Sequence, residues 1–237
     1  MKVYKFGGAS VSNIACINHV ADILSSETDR VVLVVSAMGK TTNRLEKVVE
    51  ALHPANYNQT YDQIVSNGEL WSTRVVAAVL RERGIPVHWV DMTRILLTDA
   101  TYRSANVDFE ATKPLLKAAV ADHRFTIVQG FIGGTRDGYR TTLGREGSDY
   151  TAAIVANLLD AESVTLWKDV PGIMTADPKT DPSARLIDHL TYAEAEAMSL
   201  AGAQIVHHKT MAPLAEKHIP LYVKPFWHPT ESGTKIC

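Results

Sequence analysis

The sequence predicts an α/β sandwich around a mostly parallel central sheet, and three observations carry that prediction. The continuous apolar run at 31 to 35 reads as a strand buried on both faces, as parallel strands are, and 125 to 130 and 163 to 167 read as further strands, the first of them also buried. Segments with helical spacing separate the strands along the chain, with no internal repeat. Small-residue loops at 7 to 10, 36 to 39, 130 to 134 and 144 to 149 follow strands. In such a sheet they gather at one carboxyl edge, where ligands bind.

The chain opens on a strand, Lys2 to Phe6, that breaks into Gly7, Gly8, Ala9 and Ser10. Ser12 and Asn13 cap the helix that follows, whose Ile14, Ile17, His19, Val20, Ile23 and Leu24 recur at near-helical spacing. Strand, small-residue loop and helix let backbone amides and a helix N-terminus meet an anion, and Lys5 adds a cation beside them. After the strand Val31 to Val35, residues 41 to 52 read as a helix with Leu45, Val48, Val49 and Leu52 on one face. His53 to Thr60 is polar, carries Pro54 and reads as a connection. Tyr61 to Arg83 is a long helix or two abutting ones, interrupted near Asn67-Gly68 and stopped by Gly84.

Pro86 to Asp91 is the next expected strand, and Phe109 to Ala121 a helix broken or started near Pro114. Asp137-Gly138 between polar, β-prone flanks marks a hairpin over 135 to 142. Residues 150 to 160 are helical in composition, with Ser148 or Asp149 as the expected N-cap. After the strand at 163 to 167, Asp177-Pro178 and Asp181-Pro182 mark a long loop. Helices at about 191 to 201 and 207 to 217, a strand at 220 to 224 and an edge strand within 233 to 236 complete the reading. Trp71, Trp89 and Trp167 are assigned to the core.

Composition narrows the function classes. With 237 residues, 46% of them apolar, the chain can bury a sizeable core as one large domain or two close lobes. A formal net charge of -2 provides no sequence-blind attraction to nucleic acid or to an anionic membrane, so small-molecule partners are expected. Cys16 and Cys237 lie too far apart in sequence to suggest a disulfide framework, which fits a reducing cytoplasm. No stretch reaches the length of a membrane span, and the N-terminus lacks a signal peptide's apolar core. No metal site is expected: His207 and His208, adjacent on a helix, point about 100° apart and are poorly placed to share one ion.

Gly39-Lys40-Thr41 after a buried strand suggests a P-loop, but that motif needs a glycine five residues earlier, where Val34 stands. The Rossmann pattern G-x-G-x-x-G is absent at every strand exit. The phosphate site must be built differently. Lys5-Phe6-Gly7-Gly8-Ala9-Ser10, Gln129-Gly130-Phe131-Ile132-Gly133, the run from Thr141 through Gly144-Arg145-Glu146-Gly147-Ser148-Asp149 to Ala152, and Asp169-Val170-Pro171-Gly172-Ile173 resemble the aspartate kinases of the amino acid kinase superfamily. The resemblance runs nearly end to end and takes in Ser36, Thr42-Asn43 and Gly68-Glu69. Its most specific part surrounds Ser148-Asp149.

The resemblance implies a three-layer αβα sandwich, the amino acid kinase fold. It forms a single domain over 1–237, with an acceptor-binding lobe at about 1–150 and a nucleotide-binding lobe at about 151–237. It also implies phosphoryl transfer from ATP, with Mg2+ carried by the nucleotide, to the side-chain carboxylate of L-aspartate. That is the first step toward lysine, threonine and methionine. By resemblance Lys5 contacts the transferring phosphoryl group, and Gly7, Gly8 and Ser36 donate to the phosphates. Arg145 binds the substrate α-carboxylate, since guanidinium matches a carboxylate bidentately. Glu69 and Asp149 hold the α-ammonium, Thr42 and Ser148 fix the acceptor, and Lys5 with Asp149 are the catalytic pair. Lys168, Asp169, Met174, Asp177, Lys179 and Gln204 fall to the nucleotide. Homodimers are the assembly carried over, and the regulatory ACT domains usual in the family are not expected within the chain.

Several positions depart from the family pattern. Ala9 removes a hydroxyl, Glu146 stands where glycine is usual, and Lys168, Met174 and Lys179 replace a threonine, an aromatic residue and an arginine. Gln204 stands where a second phosphate-directed lysine is usual, which implies altered nucleotide handling. Two alternatives therefore stay open on the sequence: a superfamily kinase for another small carboxylate, and a catalytically weak paralogue that binds ligand and regulates a partner.

Overall fold

The computed structural model describes residues 1–176, 180–200, 206 and 208–237. Asp177, Lys179, Gln204 and His207 lie outside the described residues. The strands are β1 (Lys2–Phe6), β2 (Val31–Val35), β3 (His88–Trp89), β4 (Phe125–Gln129), β5 (Ile132–Gly134), β6 (Arg140–Thr142), β7 (Ser163–Lys168), β8 (His189–Leu190), β9 (Leu221–Pro225) and β10 (Thr234–Ile236). The helices are α1 (Ile14–Ser25), α2 (Thr41–Leu52), α3 (Tyr57–Val65), α4 (Asn67–Glu82), α5 (Met92–Ile95), α6 (Phe109–Val120), α7 (Gly147–Leu159), α8 (Tyr192–Leu200) and α9 (Met211–Glu216). Eight strands form one sheet in the order β3-β4-β2-β1-β7-β9-β10-β8, and β5 and β6 form a separate antiparallel hairpin. From β3 to β9 all neighbours pair in parallel, and the direction reverses where β10 meets β9.

Period-two alternation divides each central strand between two cores. On one face Val3, Val32, Val34, Val128, Val164 and Leu166 pack against α6, α7 and α9. On the other Tyr4, Phe6, Leu33, Val35, Ile127 and Trp167 pack against α1 and α4. This is the expected sandwich of a sheet between two helical layers. Lys5 falls on the α7 face, in phase with Val3. β1 is also where the chain path diverges, with β2 on one side and β7 on the other, so the loop after β1 opens into the crevice at a topological switch point.

Local chemistry explains most element boundaries. The Asn13 side chain accepts from the Cys16 N–H at 3.0 Å and starts α1; Asp108 accepts from the Ala111 N–H at 2.9 Å and starts α6. Gly84, at φ +76, ends α4 in a conformation that favours glycine. The hairpin turns at Gly138, φ +84.

Other expectations are corrected. The segment read as a connection to Thr60 turns helical at Tyr57, because Tyr57, Tyr61 and Val65 recur every four residues onto a small core with Val49, Leu70 and Ile132. Ser66 separates α3 from α4, so of the two readings offered for 61 to 83 the pair of abutting helices holds. Pro114 neither breaks nor starts α6, which runs from Phe109 through an exposed Pro114 to Val120. Only His88–Trp89 of the expected strand at 86 to 91 pairs. Val48 and Leu52 of α2 face solvent, and Trp71 is 53% exposed rather than core. The expected edge strand β10 is interior to the sheet, because β8, too short to signal itself, pairs beyond it.

Candidate active site

Two strand exits touch at the centre of the crevice. The Gly39 N–H donates to the Gly8 carbonyl at 2.9 Å, and a Cβ on Gly8 would lie 2.6 Å from the Ala37 carbonyl and 2.8 Å from that of Gly39. Only glycine permits this approach. The Gly7 and Gly8 N–H groups have no acceptor among the described residues. The Ser36 N–H does: it donates to the Phe6 carbonyl at 3.1 Å. Backbone donation to phosphate by Ser36 is therefore closed, and its hydroxyl is the group left for that role.

α7 brings the next layer. Glu146, at φ +60, occupies its N-cap position, and neither Ser148 nor Asp149 caps the helix as the sequence suggests; both lie in its first turn, buried. Ser148 packs onto Gly130, where an added Cβ would lie 2.6 Å from the Ser148 Cβ. Asp149 turns toward the sheet. Its Oδ1 lies 2.7 Å from the Lys5 Nζ and its Oδ2 3.2 Å from the Lys168 Nζ. Burial alone would push the Asp149 carboxyl up; the ammonium groups of Lys168 and Lys5 outweigh it and bring the pKa down to about 2.

Beside this cluster lies a cavity of about 280 Å³, lined among others by Gly8, Ser36, Thr42, Glu69, Arg145 and Ser148. A larger hollow of about 480 Å³ on the outer side of α4 holds no buried carboxylate, so chemistry rather than volume places the site. Glu69, in the first turn of α4, is 2% exposed. Its Oε1 accepts from the Ala37 N–H at 3.2 Å, and its Oε2 has no hydrogen-bond partner. Burial pushes its pKa up to about 8, against the Ala37 amide, its own backbone amide and the Thr42 hydroxyl. Arg145 is exposed at the rim and makes no hydrogen bond or ion pair among the described residues. With Asp149 engaged on both oxygens, Glu69 is the carboxylate with capacity to spare for a ligand ammonium.

The structure thus gathers Lys5, Gly7, Gly8, Ser36, Thr42, Glu69, Arg145, Ser148, Asp149 and Lys168. Asp169, exposed just past β7, and Met174, bridged to Leu186, lie on the far side of Lys168 along the chain. Sequence reasoning missed Asp62. It is fully buried and accepts from the Arg103 N–H, the Thr142 N–H and the Thr142 hydroxyl, tying α3 to β6 behind the cavity. Burial raises its pKa despite those bonds. Tyr61, Glu46 and Phe131 also line the cavity. No short motif marks them; they arrive through α2, α3 and the turn before β5.

A family model described as the amino acid kinase family matches residues 1–225. Lysine-sensitive aspartokinase 3 of Escherichia coli is 32% identical over 285 residues, which cover 99% of this chain and 64% of that protein. Aspartokinase 2, chloroplastic, of Arabidopsis thaliana is 33% identical, covering 99% of this chain and 54% of that protein. The crystal structure of E. coli aspartokinase III in complex with aspartate and ADP superposes with a TM-score of 0.92 over 100% of this chain and 64% of its own, at 32% identity. The isopentenyl phosphate kinase of T. acidophilum shares the fold at a TM-score of 0.70 and 19% identity, covering 100% of both chains. The chain therefore spans less than two thirds of the curated aspartokinases described here.

Proposed function

The chain belongs to the amino acid kinase family, and on that premise we propose that it transfers the terminal phosphoryl group of ATP to the side-chain carboxylate of L-aspartate, giving 4-phospho-L-aspartate. The observation that carries the reading is the pairing of two half-sites. A cluster of two lysines and a buried aspartate with open glycine amides suits phosphate, and the adjoining cavity suits an amino acid. In that cavity Glu69 keeps an oxygen for the α-ammonium, Arg145 an unengaged fork for the α-carboxylate, and Thr42 and Ser148 hydroxyls for the acceptor. The likeness to an aspartokinase bound to aspartate and ADP supports the same substrates.

The chemistry follows from charge. The β-carboxylate of aspartate, with a reference pKa of about 4, is ionised at neutral pH, so the nucleophile needs no general base. The site must align two anions and neutralise their repulsion. Lys5 and the Gly7 and Gly8 amides meet the transferring phosphoryl group, and the Ser36 hydroxyl joins them. Asp149 holds the lysines in place rather than the ammonium. Magnesium would be carried by the nucleotide, held mainly by phosphate oxygens and water. When bound, that ion would neutralise phosphate charge.

All fourteen residues lining the cavity precede residue 150, which supports an acceptor lobe at about 1–150. Nucleotide then falls to 151–237, with Lys168, Asp169 and Met174, and with Asp177, Lys179 and Gln204. No helix among the described residues is long and apolar enough to cross a membrane, and Cys16 and Cys237 are unpaired. A cytoplasmic homodimer serving amino-acid biosynthesis completes the reading. Hydroxylamine trapping of acyl phosphate with MgATP and a panel of amino acids tests it. Hydroxamate dependent on aspartate is expected, and hydroxamate with another carboxylate only, or none, overturns it.

A further inference from the structure

β6 pairs only with β5 among the described residues, and α3 covers its other edge with two consecutive side chains. Gln63 donates through Nε2 to the Arg140 carbonyl at 2.8 Å. Asp62 reaches Thr142, two residues along: its Oδ2 accepts from the Thr142 N–H at 2.8 Å and its Oδ1 from the Thr142 hydroxyl at 2.8 Å. The Arg103 N–H, from the loop between α5 and α6, donates to the same carboxylate at 3.0 Å. From that loop the Ala105 N–H also donates to the Thr142 carbonyl, at 2.9 Å. Three segments distant in sequence thus meet at Thr142.

The Arg103 guanidinium forms no ion pair with Asp62 among the described residues and lies over the rings of Tyr61 and Tyr57, at 4.6 and 5.5 Å. A fully buried carboxylate without a paired cation is a poor choice for stability. Its use here is geometric: three donors converge on a group that, when ionised, only accepts, and the amide of an asparagine would set N–H against N–H on one side. Downstream of this anchor lies the substrate loop. The Leu143 N–H is held on the Phe131 carbonyl at 2.9 Å, Gly144 turns at φ +96, and the Gly147 N–H returns to the Gly144 carbonyl at 3.0 Å. Arg145 sits between these anchors with no hydrogen bond or ion pair of its own among the described residues, so its place at the cavity rim is inherited from them. We infer that Asp62 is a positioning residue for the acceptor: through Thr142 it fixes the exit of β6, and with it the loop that carries Arg145 to the cavity. The inference rests on the reading of Arg145 as the ligand of the substrate α-carboxylate.

Asp62→Asn keeps the size of the side chain and replaces one acceptor oxygen by a donor; a cooperative denaturant transition establishes that it folds. Its aspartate KM should rise tenfold or more while kcat and the ATP KM stay within threefold. Because the effect passes through Arg145, Asp62→Asn added to Arg145→Ala should raise the aspartate KM by less than twofold further. A loss of stability with the aspartate KM within twofold of wild type would make Asp62 a structural residue only and overturns the inference, and so do independent, multiplying effects in the double variant. If Asp62→Asn does not fold, Thr142→Val takes its place. It removes one donor, keeps a β-branched residue in β6 and should raise the aspartate KM threefold or more; an unchanged KM overturns the inference. If wild-type protein forms no acyl phosphate from aspartate, that failure falls on the acceptor reading, and Asp62 is judged by hydrogen exchange without ligand. Asp62→Asn should speed amide exchange at residues 143 to 147 tenfold or more and leave β2 within twofold; unchanged exchange at 143 to 147 overturns the inference.

Discussion

Glu69 makes the pH dependence of this protein calculable. Its carboxyl is 2% exposed, accepts from the Ala37 N–H on Oε1, and is pushed from 4.5 to about 8 by burial, which outweighs the Ala37 amide, its own backbone amide and the Thr42 hydroxyl. Below the unfolded value near 4.5 both states carry the proton and the group contributes nothing. As pH rises toward 8 the unfolded chain ionises and the folded protein does not, so stability falls; above 8 the loss is complete. The cost is about 3 kcal/mol at pH 7 and levels off at about 5 kcal/mol above pH 8, at 1.36 kcal/mol per pH step. Glu69→Gln removes the titration but retains an acceptor for the Ala37 N–H.

Denaturant unfolding of both proteins from pH 4 to 9, without ligand, isolates the effect as a difference curve in which every other titrating group cancels. The difference should rise in favour of the variant across pH 5 to 8 and then level off. The buried amide of glutamine adds an offset of about 1–3 kcal/mol independent of pH, so the slope is the readout. A difference curve flat to within 0.5 kcal/mol refutes the reasoning. The same proton bears on binding: a substrate ammonium at Oε2 requires the ionised form. Aspartate affinity should therefore weaken as pH drops below about 8, at the limit tenfold per pH step, and this dependence should vanish in Glu69→Gln.

Arg145→Ala should raise the aspartate KM 10-fold or more with the ATP KM unchanged, since the exposed guanidinium contacts neither the lysine cluster nor the core; an unchanged aspartate KM moves the α-carboxylate elsewhere. Gly8→Ala places a Cβ 2.6 Å from the Ala37 carbonyl, so the two strand-exit loops must separate. A stability loss of about 1–3 kcal/mol and a rise in the ATP KM are expected, measured by denaturant unfolding and initial rates, and wild-type values for both would contradict the close approach. Glu146→Gly relieves a non-glycine residue at φ +60 and removes a carboxylate from the cavity rim. It should stabilise the protein by up to about 1 kcal/mol and lower the aspartate KM; a raised KM would show that Glu146 serves the substrate.

Much of the frame is legible in the chain because it depends on neighbours in sequence. The β-branched runs have no alternation and so need two covered faces; Asn13 starts α1, Asp137-Gly138 turns the hairpin, and Gly84 ends α4. The glycines after β1 and the run from Gly144 to Asp149 marked both halves of the site. β8, two residues long, leaves no periodicity to read, and its absence from the reading turned β10 into an edge. Tyr57, Tyr61 and Val65 failed as a helix signal because polar residues separate them and their apolar partner surface comes from α2, α4 and β5.

What the sequence alone determined is the inventory: a strand bearing Lys5, loops able to meet an anion, and, through the family resemblance, Glu69, Arg145, Ser148 and Asp149 as the polar residues of a candidate site. What only the tertiary structure decided is who faces whom. Parallel register between β1 and β7 set Lys168 on the face of Lys5, and the approach of α7 turned Asp149 from a helix cap into the buried partner of both. Burial among α2, α4 and the second strand exit gave Glu69 its raised pKa and its spare oxygen. Register, facing and desolvation are set between segments from about twenty to more than a hundred and sixty residues apart in the chain, and no local pattern encodes them.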